Sequence, residues 1–306
     1  MSSSRTTSEE TIYARRLGVY YGATAYALYP SRSTLEGSHG QDLRSYAKSL
    51  AGWLARGILS SQSLSKILTS AEPLLSPRIR SGTGRRGWTL SLQARILDDF
   101  LVCRTRVYYA AHPERYRARR VPDMRQSERR GREFIRLLFE ELDFLQGRNV
   151  VLRKVSCDEE GRKYSVVFAD LERELELTCV PDGIVIVLLR GGTIRSLVLE
   201  VADTDCATVI ARRHLLPRLI LYMIATHLEY GTVSAGLYVS LAPLSTPPAL
   251  LLAGRERSTT RPVERLLSRA ADLVERDEPA PPSGGRSPCG HCVYAPACVH
   301  RDAAGD

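Results

Sequence analysis

Three closely spaced cysteines near the end of the chain constrain its fold more than any other feature. They are Cys289, Cys292 and Cys298, in the spacing C-x2-C-x5-C. Tetrahedral metal sites and iron–sulphur clusters usually have four protein ligands, so three clustered thiolates need a fourth from elsewhere in the chain. The sequence therefore predicts a fold in which a distant segment returns to the C-terminal segment.

Two kinds of residue can supply the fourth ligand. His291 and His300 flank the cysteines, and zinc held by three thiolates and one histidine is a complete site. Cys103 lies in an apolar helical stretch, where a single cysteine is usually a small buried hydrophobe, but the unfilled fourth position makes it the best candidate. The other thiols lie on or beside apolar strands, which favours buried side chains over ligands. They are Cys157, Cys179 and Cys206.

The composition favours an intracellular globular protein. A chain of 306 residues that is 43% hydrophobic can bury a sizeable core. No apolar run is long enough for a membrane span, and the N-terminus lacks a secretory signal. The net charge of +9 is almost entirely guanidinium, which suits phosphate contacts, although a coding bias towards arginine explains it equally well. We therefore predict a cytoplasmic protein with no membrane segment.

The residue pattern divides the chain into three predicted segments. Residues 1–90 contain two amphipathic stretches and are predicted to form an N-terminal helical extension. Residues 91–277 form the predicted core, and residues 278–306 form a linker and the C-terminal cysteine segment. The core alternates helical and strand patterns, which indicates an α/β or α+β fold.

Strand patterns dominate the middle of the core. Five alternating or β-branched runs are separated by turn residues, which predicts largely antiparallel strands. Predicted strands cover residues 149–156, 164–170, 174–180, 183–189, 194–202 and 233–241. Predicted helices cover residues 41–58, 63–75, 91–109, 131–145, 209–230 and 262–276.

Two carboxylates are predicted to meet at one edge of the sheet. Asp182 opens one predicted strand, and Glu200 lies near the end of the next. Paired carboxylates at strand ends are typical ligands for Mg²⁺ or Mn²⁺, ions that activate water and neutralise a phosphodiester. The alternative is that Asp182 caps a turn and Glu200 pairs with an arginine.

A basic stretch follows Cys103. Such a stretch is often a solvated surface, yet beside a metal centre it can also hold a nucleic-acid backbone. Its arginines are Arg115, Arg117, Arg119, Arg120, Arg125, Arg129, Arg130 and Arg132.

These features together resemble the CRISPR-associated RecB-like exonucleases, the fourth Cas family. The resemblance covers residues 91–300, and its most specific part is the cysteine trio combined with Cys103 and the tyrosines after it. It extends through Val-Pro-Asp182-Gly, Leu-Val-Leu-Glu200 and a helix that contains Tyr222. The resemblance implies a PD-(D/E)XK restriction-endonuclease-like α/β core with a mixed sheet.

The same resemblance implies cofactors, partners and site residues. Asp182 and Glu200 match the metal-binding carboxylates, and Tyr222 matches the tyrosine of a Q-x-x-x-Y helix motif. The expected substrate is DNA, single-stranded or as an end-frayed duplex, and the expected partners are other CRISPR adaptation proteins. The implied ligands of a [4Fe–4S] cluster are Cys103, Cys289, Cys292 and Cys298.

Three positions depart from the motif of the family. The motif lysine falls on Ala202, the helix histidine on Ile135 and the motif glutamine on Arg218. Groups of this kind contribute roughly 10²–10⁴ in rate, and an arginine is too basic to accept a proton at neutral pH. Substitute cations within reach along the chain are Lys154, Lys163, Arg212, Arg213 and Arg218.

The departures leave three expectations for function. The first is a DNA-end binding and processing protein of CRISPR adaptation, with metal-dependent cleavage weakened or lost. The second is a non-catalytic DNA-binding subunit of an adaptation complex. The third is an interaction module that zinc or a cluster stabilises, without nuclease activity.

Overall fold

The computed structural model places a mixed α/β fold in the described part of the chain. The described residues are 12–30, 42–60, 62–82, 89–116, 122–145, 152–156, 163–169, 174–189, 192–242, 245, 247–255, 258–276, 278–281 and 292–299. Their strands are β1 (Ile12–Tyr20), β2 (Ala23–Pro30), β3 (Ile79–Ser81), β4 (Thr89–Gln93), β5 (Leu152–Ser156), β6 (Tyr164–Ala169), β7 (Glu174–Cys179), β8 (Gly183–Leu188), β9 (Ile194–Ala202), β10 (Val233–Ser240) and β11 (Ala249–Ala253). Their helices are α1 (Leu43–Ser60), α2 (Gln62–Thr69), α3 (Ile96–Val102), α4 (Arg104–Ala111), α5 (Pro122–Leu145), α6 (Cys206–Arg212), α7 (Leu216–Tyr230) and α8 (Arg261–Val274).

A seven-stranded mixed sheet forms the centre of the fold. Its order is β1-β2-β11-β10-β9-β8-β5, and β9 and β10 are parallel neighbours. The other neighbouring pairs are antiparallel. A parallel pair needs a crossover connection, which α6 and α7 supply here. The apolar sequence of β10 follows from its burial on both faces of this sheet.

Helix α7 lies between the central sheet and a second sheet. It contacts β9 and β10 on one side and β3, β6 and β7 of the four-stranded sheet β3-β6-β7-β4 on the other. Its buried residues are almost continuous from Leu216 to Thr226. A helix that is apolar around its whole circumference is typical of such a position between two layers.

The opposite face of the central sheet is covered by α1, α2 and α5. Phe134, Leu138, Leu197 and Leu237 belong to the apolar core between them and the sheet. Ile135, at the position of the motif histidine, is only 4% exposed in this same core. The sequence therefore places an apolar packing residue where the family resemblance implies a polar one.

Several sequence predictions need correction. Residues 12–30 form the β1–β2 hairpin, which joins the central sheet beside β11, so the N-terminal segment is not purely helical. The predicted helix over residues 91–109 begins as strand β4 and is interrupted at Cys103, whose backbone is extended. The predicted helix over residues 209–230 is divided between α6 and α7, because Arg213 and Leu215 have positive φ values of 55° and 64°.

The β1–β2 turn gives a stability prediction. Gly22 has a φ of +93°, and a Cβ there would lie 1.7 Å from the backbone oxygen of Thr259. Gly22→Ala should therefore lower the free energy of unfolding by about 2–3 kcal/mol, since it adds a steric clash to an unfavourable φ. Gly231→Ala is the control, because its φ of +64° is also positive but no atom lies within 4 Å of the added Cβ. Denaturant unfolding should show a loss of only about 1 kcal/mol for the control, and equal losses would contradict the clash.

Within the described residues, no helix is long and apolar enough to cross a membrane.

Candidate functional site

A cleft opens where strands β7, β8 and β9 meet helices α3, α5 and α7. Its volume is about 560 Å³, within the range of ordinary ligand sites. Asp182, Glu200 and Tyr222 all line it, together with Ala202 at the position of the motif lysine. The fold therefore brings together the site residues that the sequence predicts in the core.

The backbone of the β8–β9 pair holds Asp182 at the floor of this cleft. The Asp182 N–H donates to the Leu199 carbonyl at 3.1 Å, and Asp182 Oδ2 accepts from the Val201 N–H at 2.7 Å. Glu200 lies between these two partners in sequence and is only 6% exposed. The strand pattern correctly predicts that the two carboxylates share one edge of the sheet.

Arg218 forms the counter-charge of Glu200. Its Nη2 donates to Glu200 Oε1, and its Nε lies 3.1 Å from Asp98 Oδ2. The Arg218 side chain is only 14% exposed, so this ion-pair network is largely shielded from water. The alternative prediction, that Glu200 pairs with an arginine, is confirmed.

The electrostatics of the network favour a neutral Glu200 and a charged Arg218. Burial raises the pKa of Glu200 to about 8, and Asp182 and Asp98 act in the same direction against the lowering effect of Arg218. Burial alone would lower the pKa of Arg218, but Asp98 and Glu200 outweigh it and raise that pKa. The Arg218 guanidinium is therefore a permanent positive charge in the cleft, in contact with the carboxyl groups of both Asp98 and Glu200.

This balance predicts a pH-dependent stability. The pKa of Glu200 rises from 4.5 to about 8 on folding, so the folded state binds a proton that the unfolded state releases between these values. Stability should therefore fall as the pH rises through this window. Glu200→Gln removes the titrating group and should flatten the profile between these two pH values. Denaturant titrations at several pH values measure this, and parallel profiles for the two proteins would contradict it.

Helix α3 contributes two acidic residues that sequence reasoning did not select. Asp98 Oδ1 accepts from the Leu215 N–H at 2.9 Å, and Asp99 forms an ion pair with Arg106 at 2.7 Å. Both carboxylates are buried, at 8% and 6% exposure. Two adjacent acidic residues inside the apolar run Ile-Leu-Asp-Asp-Phe-Leu were the available signal, because buried carboxylates need partners.

His214 is a further cleft residue that the sequence analysis missed. It lies between Arg213 and Leu215, the two residues with positive φ at the α6–α7 break. Burial lowers its pKa, which favours the neutral imidazole. Its Nδ1 is buried without a hydrogen-bond partner among the described residues. Strained backbone of this kind is concentrated at functional sites.

The predicted substitute cations differ in position. Arg218 lies in the cleft, whereas Arg212 and Arg213 are exposed, and the Arg213 guanidinium lies 5.9 Å from the centre of the Tyr20 ring. Lys163 is exposed as well, and the Lys154 side chain is outside the described part. Of these residues, Arg218 is the one that lies in the cleft and contacts its carboxyl groups.

A divalent cation does not fit the cleft in this arrangement. Glu200 and Asp98 are already neutralised by the Arg218 guanidinium, whose charge would repel a metal ion at the same oxygens. Among the residues that the structure describes, no group of three or more His, Cys, Asp or Glu side chains is arranged to hold a metal ion. The Mg²⁺ or Mn²⁺ prediction therefore lacks the open carboxylates that it needs.

The C-terminal cysteine segment packs on helix α4, which begins directly after Cys103. Cys103 is buried at the α3–α4 junction. The Val299 N–H donates to the Tyr109 hydroxyl at 3.1 Å, and the Tyr294 ring lies 5.7 Å from the Tyr109 ring. Burial raises the pKa of Tyr109, and the neighbouring Cys298 thiol adds to this effect.

The path of the linker agrees with this packing. The Thr105 hydroxyl donates to the Ala280 carbonyl at 2.7 Å, so the start of the linker is also fixed to α4. Cys289 lies outside the described residues. Cys103 directly precedes α4, and Cys298 lies next to Val299, which contacts Tyr109 on that helix. Among the described residues, Cys103, Cys292 and Cys298 do not form a group placed to hold a metal ion. The full ligand set stays a prediction.

The three other cysteines were predicted to be buried thiols. Cys179 and Cys206 have no exposed surface, and burial raises the pKa of both thiols. Cys157 lies outside the described residues.

No family model matches the chain, and no curated protein is significantly similar to it.

Proposed function

We propose that the protein binds DNA ends in CRISPR adaptation through a RecB-like core that has lost metal-dependent cleavage. The observation that carries this proposal is the convergence of Asp182, Glu200 and Tyr222 in one cleft beneath α7. These are the core positions of the family resemblance. The mixed central sheet, with both carboxylates on an antiparallel pair, supports a PD-(D/E)XK-like core.

Two arginines in the lining of the cleft, Arg95 and Arg132, support an anionic ligand. Arg106 and Arg218 line it as well but are paired with Asp99 and Glu200. The acidic residues of the lining are Asp98, Asp99, Glu128, Asp182 and Glu200, so phosphate binding depends on the arginines. Guanidinium groups bind phosphate oxygens through two parallel hydrogen bonds, which is a common way to hold a nucleic-acid backbone. DNA, single-stranded or as an end-frayed duplex, is the proposed ligand, with CRISPR adaptation proteins as partners.

The residues of the cleft support binding more than cleavage. Ala202 offers no polar group at the position of the motif lysine, and Arg218 is held in an ion pair with Glu200. Burial lowers the pKa of His214 in the cleft, but its buried Nδ1 has no hydrogen-bond partner among the described residues that could act with it in acid–base catalysis. We therefore assign no catalytic step to this chain.

The proposed [4Fe–4S] cluster would have a structural role. Cys103, Cys289, Cys292 and Cys298 would hold it, and it would cross-link the α3–α4 junction to the C-terminal segment. Closing so long a loop restricts the unfolded chain, by analogy with a disulfide of the same span. The packing of Tyr294 and Val299 on Tyr109 supports this location.

End-labelled DNA tests the proposed function. The purified protein should bind 5′- and 3′-labelled DNA with an affinity that falls steeply with salt, and it should leave the label intact in Mn²⁺. Cleavage that Asp182→Ala abolishes would show that the nuclease is active. Absence of salt-dependent DNA binding would instead favour an interaction module.

Arg132 provides a matched test of the binding surface. Arg132 and Arg136 are both exposed on α5, but Arg132 lines the cleft, whereas Arg136 lies one helical turn later and contacts Glu133 and Glu140. Arg132→Ala should weaken DNA binding and reduce the salt slope by about one ion. Arg136→Ala should leave both nearly unchanged. Equal effects of the two substitutions in a salt titration would place the DNA elsewhere.

A further inference from the structure

A second cleft, which we call the hairpin pocket, lies between the β1–β2 hairpin and the segment that follows β11. Its volume is about 460 Å³, enough for a small ligand. Tyr26 belongs to the core beneath α1, α2 and α5, so the pocket is on the opposite face of the central sheet from α7 and Arg218. The lining residues that determine its chemistry are Arg16, Val19, Thr24, Tyr26, Arg255 and Ser258.

A β-bulge in β1 places Arg16 on the pocket side of the hairpin. The strand ladder pairs Arg16 with Tyr26 and Val19 with Thr24, and its register shifts between Arg16 and Gly18. Residues three apart in a regular strand lie on opposite faces, whereas the extra residue of a bulge brings them to the same face. Arg16 and Val19 therefore both line the pocket, across from the polar residues of β2.

Arg255 supplies a second guanidinium, which neutral groups hold in place. Its Nε and Nη2 donate to the Tyr26 hydroxyl at 3.1 and 2.8 Å, and its Nη1 donates to the Ser70 hydroxyl. The Arg255 backbone N–H donates to Ser258 Oγ at 2.7 Å, which fixes the segment itself. These partners orient the guanidinium but carry no opposite charge, so its positive charge is left for a ligand.

The described part of the pocket has no negative charge. None of the described lining residues is acidic, and neither Arg16 nor Arg255 forms an ion pair with a described carboxylate. The adjacent Glu256 and Arg257, which carry opposite charges, lie outside the described residues. Two guanidinium groups without a counter-charge in one pocket favour a ligand with more than one negative charge.

Two hydroxyl groups complete the set of donors. Thr24 is only 4% exposed, yet its hydroxyl makes no hydrogen bond with any described residue. A buried hydroxyl without a partner costs free energy, so a ligand oxygen that pairs with it gains affinity. The Tyr26 hydroxyl accepts from Arg255, which leaves its own proton for another acceptor.

We propose that the hairpin pocket binds a phosphate monoester, held by Arg16 and Arg255 and by the hydroxyls of Thr24 and Tyr26. A phosphate monoester has close to two negative charges and three terminal oxygens, which match these donors better than a carboxylate does. Val19 is 60% exposed and offers an apolar surface to the organic part of the ligand. The site is separate from the cleft around Glu200 and does not depend on the proposed DNA binding there.

Calorimetry with inorganic phosphate tests the site. Arg16→Met should weaken phosphate binding at least about tenfold, because it removes a charged contact. Arg15→Met is the matched control, since Arg15 is also exposed on β1 but pairs with Ala27 and does not line the pocket. The control should bind phosphate like the wild type. Equal weakening by both substitutions, or no binding to the wild type at about 10 mM phosphate, would overturn the inference.

Thr24→Val tests the site without a change of charge. Valine keeps the shape of the side chain but lacks the hydroxyl, so phosphate binding should weaken about fivefold while the melting temperature without phosphate stays the same or rises. Arg132→Met removes an arginine of the larger cleft and should leave phosphate binding unchanged. Phosphate binding that is sensitive to Arg132→Met and insensitive to Thr24→Val would place the anion in the larger cleft and overturn the inference.

Two sources of a phosphate monoester are separated by the same variants. The probes are a nucleoside 5′-monophosphate and a 5′-phosphorylated single strand of DNA, each compared with its unphosphorylated counterpart. A gain from the phosphate that Arg16→Met removes supports the site, and the probe with the larger gain identifies the source. A gain that Arg16→Met leaves intact for both probes would overturn the inference.

Discussion

Arg218→Met should lower the free energy of unfolding by about 3–5 kcal/mol, the cost of removing one partner from a buried ion pair. Methionine replaces much of the apolar volume of the side chain but leaves Asp98 without its counter-charge and Glu200 without its hydrogen-bond donor. Both carboxylates are nearly inaccessible to water, at 8% and 6% exposure, so solvation cannot compensate. Urea unfolding of the purified variant measures the loss directly.

Arg136→Met is the matched control for this prediction. Arg136 also contacts two carboxylates, Glu133 and Glu140, but the side chains are 44%, 47% and 48% exposed. Exposed ion pairs contribute about 0–1 kcal/mol, so the control should unfold close to the wild type. If both variants lost a similar free energy of unfolding, burial would not make the Arg218 ion pairs more stabilising than the exposed pairs of Arg136.

The second large effect concerns the proposed cluster. Cys103→Ser should reduce the iron content of anaerobically purified protein from about four atoms per chain to background, since a [4Fe–4S] cluster usually requires four thiolates. The brown colour should disappear, and thermal stability should fall because the α3–α4 junction loses its cross-link to the C-terminal segment. Iron analysis and visible absorption measure the first effect, and thermal unfolding measures the second.

Cys206→Ser controls for the loss of a buried thiol. Cys206 is buried like Cys103, with exposures of 0% and 7%. It lies at the start of α6 and is not a predicted ligand. Its substitution should leave the iron content unchanged. A colourless wild type that carries one equivalent of zinc would favour the alternative zinc site with His291 or His300. Full iron content in Cys103→Ser would remove Cys103 from the ligand set.

The sequence predicts the middle of the fold well because the strands there carry local signals. Strands β5 to β10 alternate or are rich in β-branched residues, and Asp-Gly or Gly-Gly turns separate several of them. Strand β2 gives a weaker signal, since three of its eight residues are alanine. It becomes a strand by pairing Leu28 with Ala249 on β11, a contact between opposite ends of the chain that local patterns do not contain.

The candidate site was predictable to the extent that its residues lie on those strands. Asp182 and Glu200 meet because adjacent antiparallel strands carry them, which spacing alone indicates. Asp98 could not be placed with them, because it comes from α3 and reaches the cleft through tertiary packing. The replacement of the motif glutamine by Arg218 is visible in the sequence, but its two ion pairs depend on the position of α7 between the sheets.

Anomalous X-ray diffraction from wild-type crystals grown with Mn²⁺ is the most direct test of the central claim, that the Arg218 guanidinium, and not a divalent cation, neutralises the carboxylates of the cleft. We predict the Arg218 guanidinium between Asp98 and Glu200, with no anomalous peak in the cleft. A manganese peak at a coordination distance of about 2.0–2.6 Å from Asp182 and Glu200, with Arg218 displaced, would contradict the claim.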